Sequence, residues 1–64
     1  MSHAPHALTL TGLEKVYDRL ATAIDQAGTD KTELFLVKLA LLNAQALGDA
    51  AQFEHHVEVA LQNL

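Results

Sequence analysis

The chain has 64 residues with four basic and eight acidic side chains, a net charge of −4 and no cysteine. A chain of this length forms one domain, and such a small domain buries only about 60% of the surface that its unfolded chain exposes, so its own stability is marginal. The lack of cysteine excludes disulfide bonds and thiolate metal sites, which leaves oligomerisation and regular helix packing as the expected supports.

The charges are distributed unevenly along the chain. All basic residues lie in the first 38 positions: Lys15, Arg19, Lys31 and Lys38. Residues 39–64 carry only the acidic Asp49, Glu54 and Glu58. This half would repel a phosphate backbone or an anionic lipid surface. We therefore expect neither nucleic acid nor a membrane as a partner.

Residues 1–10 have no helical pattern. Pro5 and the alternation Leu8-Thr9-Leu10 predict an extended or flexible arm, followed by a single three-helix domain over residues 11–64. The first six residues lack the charged and apolar regions of a secretory signal. The longest apolar run, in the second predicted helix, would span about 21 Å, short of the roughly 30 Å core of a bilayer. We therefore expect a soluble, cytoplasmic protein.

The first helix is predicted over about residues 12–27. Thr11-Gly12-Leu13-Glu14 has the spacing of a capping box, in which the Thr11 hydroxyl accepts from an amide and Glu14 reaches back to the cap. Gly28 ends the helix, because glycine adopts a left-handed conformation without steric cost. Apolar residues form one stripe, which consists of Leu13, Val16, Tyr17, Leu20, Ile24 and Ala27.

The second helix is predicted over about residues 31–47, with Asp30 as its N-cap, Glu33 at the box spacing and Gly48 after its end. Eleven of the fourteen residues from Leu34 to Leu47 are apolar and cover most of the helical cylinder. A helix with so little polar surface is normally buried, and the rest of this short chain offers little cover. The helix therefore predicts a partner, most simply a second copy across an isologous twofold contact.

The third helix is predicted over about residues 50–62. Asp49 is its expected N-cap, with Gln52 at the box spacing. Its apolar face consists of Phe53, Val57, Ala60, Leu61 and Leu64. Because cap and glycine signals agree with three apolar periodicities, the predicted fold class is all-α with three short helices.

The candidate interface lies on the second helix and consists of Leu34, Phe35, Val37, Leu41, Leu42 and Asn43. Asn43 falls among leucines, where an unpaired amide would cost roughly 1–3 kcal/mol. One interpretation is a polar contact that fixes the register of a helix pair, as buried asparagines do in coiled coils. The other is an asparagine near the helix end that bonds local carbonyls or water.

No pattern predicts a catalytic, cofactor or metal site. His55 and His56 are adjacent and point about 100° apart on a helix, so they cannot easily share one ion, and the four-residue spacing of helical zinc ligands is missing. Ala44 and Gly48 have the turn spacing of a DNA-binding helix-turn-helix. That interpretation fails because Glu54 occupies an aliphatic position and the would-be reading helix has no basic residue.

Ten blocks of residues in the three helices form a recognisable set: Leu13, Val16-Tyr17-Asp18, Leu20-Ala21, Ala23-Ile24-Asp25, Ala27-Gly28, Leu34-Phe35-Leu36, Lys38-Leu39-Ala40-Leu41-Leu42, Leu47-Gly48-Asp49, Ala60-Leu61 and Leu64. Together they resemble a family of short, uncharacterised bacterial all-helical proteins, a domain of unknown function, over about residues 8–64. The resemblance implies no activity, cofactor or catalytic residue, and it implies a link to neighbouring flavin-dependent oxidoreductases.

Two hypotheses for function follow. The first is a small non-enzymatic interaction module that forms a homodimer through the apolar second helix. The alternative is a companion subunit that docks the same apolar surface on a larger enzyme, for which the resemblance points to an oxidoreductase.

Overall fold

A computed structural model describes residues 8–64, so residues 1–7 of the predicted arm at residues 1–10 lie outside the described part of the chain. It contains three helices, α1 (Leu10–Ala27), α2 (Thr32–Leu47) and α3 (Ala50–Leu61). No strand occurs between residues 8 and 64. The all-α prediction with three short helices is therefore confirmed.

Helix α1 begins two residues earlier than the sequence predicts. The Thr9 hydroxyl accepts a hydrogen bond from the Gly12 N–H at 2.9 Å, and the Leu13 N–H donates to the Thr9 carbonyl at 2.8 Å. The prediction that Thr11 caps this helix is wrong. A Cβ at position 12 would lie 3.2 Å from the Thr9 hydroxyl oxygen, so Gly12 leaves the room that this cap uses.

The connection from α1 to α2 is organised around Gly28. Its φ of +86° and ψ of 157° lie in a region that is essentially restricted to glycine. Its carbonyl accepts from the Lys31 N–H at 3.1 Å and from the Thr32 hydroxyl at 2.8 Å. These bonds hold residues 29–31 in a turn, so α2 begins at Thr32. The prediction that Asp30 caps α2 is therefore wrong.

Helix α3 begins as the sequence predicts. The Asp49 Oδ1 atom accepts from the Gln52 N–H at 3.1 Å, which confirms Asp49 as the N-cap. Only Gly48 and Asp49 separate α2 from α3, and Gly48 makes the reversal with a φ of +70°. The helix ends at Leu61, one residue before the predicted end.

The chain divides into two compact units. The first ends at Thr32 and contains α1, and the second extends from Glu33 to Leu64 and contains α3 and nearly all of α2. Within residues 8–64 no side chain is buried. The most sheltered large apolar residues are half-buried, namely Leu20, Ile24, Phe35, Leu39 and Phe53. No helix in the described part of the chain is both long and apolar enough to cross a membrane.

Candidate functional site

The predicted interface residues of α2 lie mostly on the surface. Leu34 is 57% exposed, Val37 49%, Leu41 64% and Leu42 67%. Asn43 is also exposed, whereas Phe35 is half-buried. Large apolar side chains with half or more of their surface in water carry a hydration cost that contact with another protein would remove.

Helical geometry separates these residues into different faces. At 100° per residue, Leu34, Val37 and Leu41 fall within an arc of about 60°. We call these three residues the α2 stripe. Leu42 lies about 80° from Leu34, and Asn43 lies on the opposite side of the helix from Leu34. The α2 stripe is therefore the part of the predicted interface that one flat contact can cover.

The placement of Asn43 bears on both of its interpretations. Its side chain is exposed, so in the single chain its amide reaches water and no desolvation cost arises. Because it faces away from the α2 stripe, it cannot set the register of a contact made through Leu34 and Leu41. The interpretation as a solvated asparagine near the helix end agrees with this position.

An open groove lies between α2 and α3, within the second unit. Its volume is about 560 Å³. Apolar side chains line most of it, and polar groups line the rest. The apolar residues are Leu41, Ala44, Ala50 and Phe53, and the others are Gln45, Gly48, Asp49 and Glu54. Leu41 belongs to both the groove and the α2 stripe, so the two features form one continuous surface.

The sequence interpretation missed this groove. Its residues come from the end of one helix and the start of the next, and no single apolar periodicity joins them. One signal was available in the small residues Ala44, Gly48 and Ala50, which leave open space beside the larger Phe53. A Cβ built on Gly48 would have no neighbouring atom within 4 Å.

Exposed apolar surface also occurs on the other helices. On α1 the N-terminal part of the predicted stripe is open, with Leu13 53%, Val16 48% and Tyr17 71% exposed. On α3 Val59 is 51% and Leu61 is 62% exposed. These residues extend the apolar surface of the chain beyond α2.

The two histidines of α3 do not form a ligand set. The ring centroids of His55 and His56 are 6.3 Å apart, and the His56 Nε2 atom lies 3.4 Å from the side-chain nitrogen of Gln52. Within residues 8–64 no three histidine, aspartate or glutamate side chains are grouped closely enough to hold a metal ion. The arrangement offers a polar helix surface.

Comparisons with known proteins found no relative of this chain. Neither the family models, nor the curated proteins, nor the solved structures contain a match to this chain. The resemblance to a family of short bacterial helical proteins therefore stays a prediction, and function must be argued from the surface itself.

Proposed function

We propose that this protein is a small non-enzymatic interaction module that self-associates through α2. The observation that supports this function is the exposure of the α2 stripe in a chain whose described residues include no buried side chain. Contiguous exposed apolar surface on a small protein usually marks a site of protein–protein contact. A second copy is the simplest partner because it is always present at the same concentration.

Covering the α2 stripe would offset much of the about 4–15 kcal/mol that association costs. Fully burying a leucine or valine side chain contributes about 1.5–3 kcal/mol. Leu34, Val37 and Leu41 together expose the equivalent of between one and two whole side chains. Covering them would therefore contribute about 3–5 kcal/mol per chain.

Analytical ultracentrifugation of the purified protein over a concentration series tests the proposal. We expect a dimer at micromolar concentrations, together with a thermal midpoint that rises with protein concentration, because association stabilises the folded chain by mass action. A well-folded monomer throughout the series, with a midpoint independent of concentration, would contradict self-association.

The alternative, a companion subunit on a larger enzyme, uses the same exposed surface. It predicts a monomer in isolation and a stoichiometric larger partner when tagged protein is recovered from its native lysate. The two experiments together therefore separate the two functions.

A further inference from the structure

We infer that the groove between α2 and α3 receives the first half of α2 from a second copy, in an antiparallel arrangement that two copies make reciprocally. This inference rests on the proposed self-association and specifies its geometry. It draws on three observations: the shape of the groove, the seven-residue spacing of the residues beside it and the opposite charges of the two surfaces.

The groove has the size and lining to take side chains from a helix. An apolar cavity of about 150 Å³ accommodates a benzene ring, and the groove has about 560 Å³. Leu41, Ala44 and Phe53 give it apolar walls, and the empty space beside Gly48 leaves room at its end. An exposed leucine of another helix therefore fits in chemistry and in size.

The spacing along α2 gives the register. Leu34, Leu41 and Gly48 are seven residues apart, so they follow one line on the helix with a drift of only about 20° per step. If two copies of α2 pack antiparallel with Leu41 facing Leu41, each Leu34 lies opposite the Gly48 of the other copy. The contact is then isologous, because every pair of residues is repeated by the twofold axis.

The charges near the centre of the contact favour the same arrangement, while at its ends the register places Glu33 opposite Asp49 of the other copy, a like-charge pair. Lys38 is exposed one turn after Leu34, on the first half of α2. The groove contains the exposed carboxylates of Asp49 and Glu54, and residues 39–64 contain no basic residue that competes for them. In the antiparallel register Lys38 of one copy lies beside Gln45 and Glu54 of the other. Complementary charges of this kind select the orientation of an interface.

Single-cysteine crosslinking tests the orientation, because the native chain has no cysteine to interfere. Lys38→Cys and Gln45→Cys change exposed positions, so both variants should remain folded. Each is made with a tag of a different length, and the proteins are treated with a short bifunctional thiol reagent alone and as a mixture. We expect the mixed covalent dimer to exceed both self-linked dimers by severalfold.

The possible outcomes distinguish this inference from the proposed function. Efficient self-linking of each variant alone would indicate parallel helices and would overturn the antiparallel register. A wild-type dimer in which neither variant crosslinks would place the interface on another face and would also overturn it. A wild-type protein that is monomeric in the ultracentrifuge would refute the proposed self-association itself, and with it the arrangement described here.

Charge reversal provides an independent test of the contact between Lys38 and the groove. Lys38→Glu and Glu54→Lys should each weaken dimerisation roughly tenfold, because each dimer contains the contact twice. The double variant K38E/E54K should recover most of the wild-type affinity. If the loss of dimerisation free energy in the double variant equals the sum of the losses in the two single variants, the two side chains do not meet across the interface. This result would contradict the arrangement.

Discussion

The substitution Leu41→Asp provides the strongest test of the proposed interface. Leu41 is 64% exposed and no described side chain is buried, so an aspartate there stays largely in water and little packing within the chain is lost. In a dimer the same position is covered. Losing the leucine forfeits about 1–2 kcal/mol per chain, or about 2–4 kcal/mol per dimer, which corresponds to a roughly 30- to 900-fold weaker Kd.

A second cost adds to this loss. Two carboxylates would face each other near the twofold axis, where their mutual repulsion and their partial removal from water are both unfavourable. The variant should therefore be monomeric at concentrations where the wild-type protein is dimeric. Sedimentation velocity measures the dimerisation, and far-ultraviolet circular dichroism verifies that the helices persist.

The matched control is Leu64→Asp, which makes the same chemical change at a side chain that is 96% exposed, outside the groove and the α2 stripe. It should leave the Kd within about twofold of the wild-type value, as expected for a surface change of about 0.5 kcal/mol or less. If Leu41→Asp dimerised as tightly as Leu64→Asp, the inference that α2 forms the interface would be refuted.

Five further substitutions, at four positions, test the helix ends. Thr9→Ala should lower the free energy of unfolding by about 1 kcal/mol, because the Thr9 hydroxyl accepts the Gly12 N–H. Thr11→Ala should change the free energy of unfolding little, and urea denaturation of the two variants measures the difference. Asp49→Ala should lower the free energy of unfolding by a similar amount. Asp49→Asn should lower it much less, because the asparagine side-chain oxygen still accepts from the Gln52 N–H. Equal thermal midpoints for the two variants would contradict the role of Asp49 as the N-cap. Gly28→Ala forces a Cβ into a backbone conformation with φ of +86° and should destabilise by about 1–3 kcal/mol; an unchanged urea midpoint would count against that conformation.

Much of the fold could be predicted because local and periodic signals agree. The apolar stripes gave three helices, and Gly28, Gly48 and Asp49 placed their boundaries to within a residue or two. The errors arose where two residues compete for one role. Thr9 and Thr11 are both acceptable caps, and in the structure it is the Thr9 hydroxyl that accepts an amide, with room beside it because Gly12 has no Cβ. Asp30 does not cap α2, since residues 29–31 form a turn and the helix begins only at Thr32.

The candidate surface could be predicted only in part. The high apolar content of α2 predicted an interface that includes Leu34 and Leu41, and the structure places both side chains largely in water. It could not identify the more sheltered side of α2, so Phe35 and Asn43 were grouped with residues on a different face. The groove depends on the path of the chain through Gly48 and Asp49, because this path brings Phe53 near Leu41. The hydrophobic periodicity of a single helix does not indicate which residues of the next helix lie nearby.

The absence of a buried side chain between residues 8 and 64 also determines how the isolated chain should melt. The denaturant dependence and the heat-capacity increment of unfolding both scale with the surface that becomes newly hydrated. A lone chain has less such surface left to hydrate than a compact domain of the same size, so its transition should be broader and its calorimetric signal smaller. A sharp transition with a large heat-capacity increment would instead be the signature of two chains that separate and unravel together.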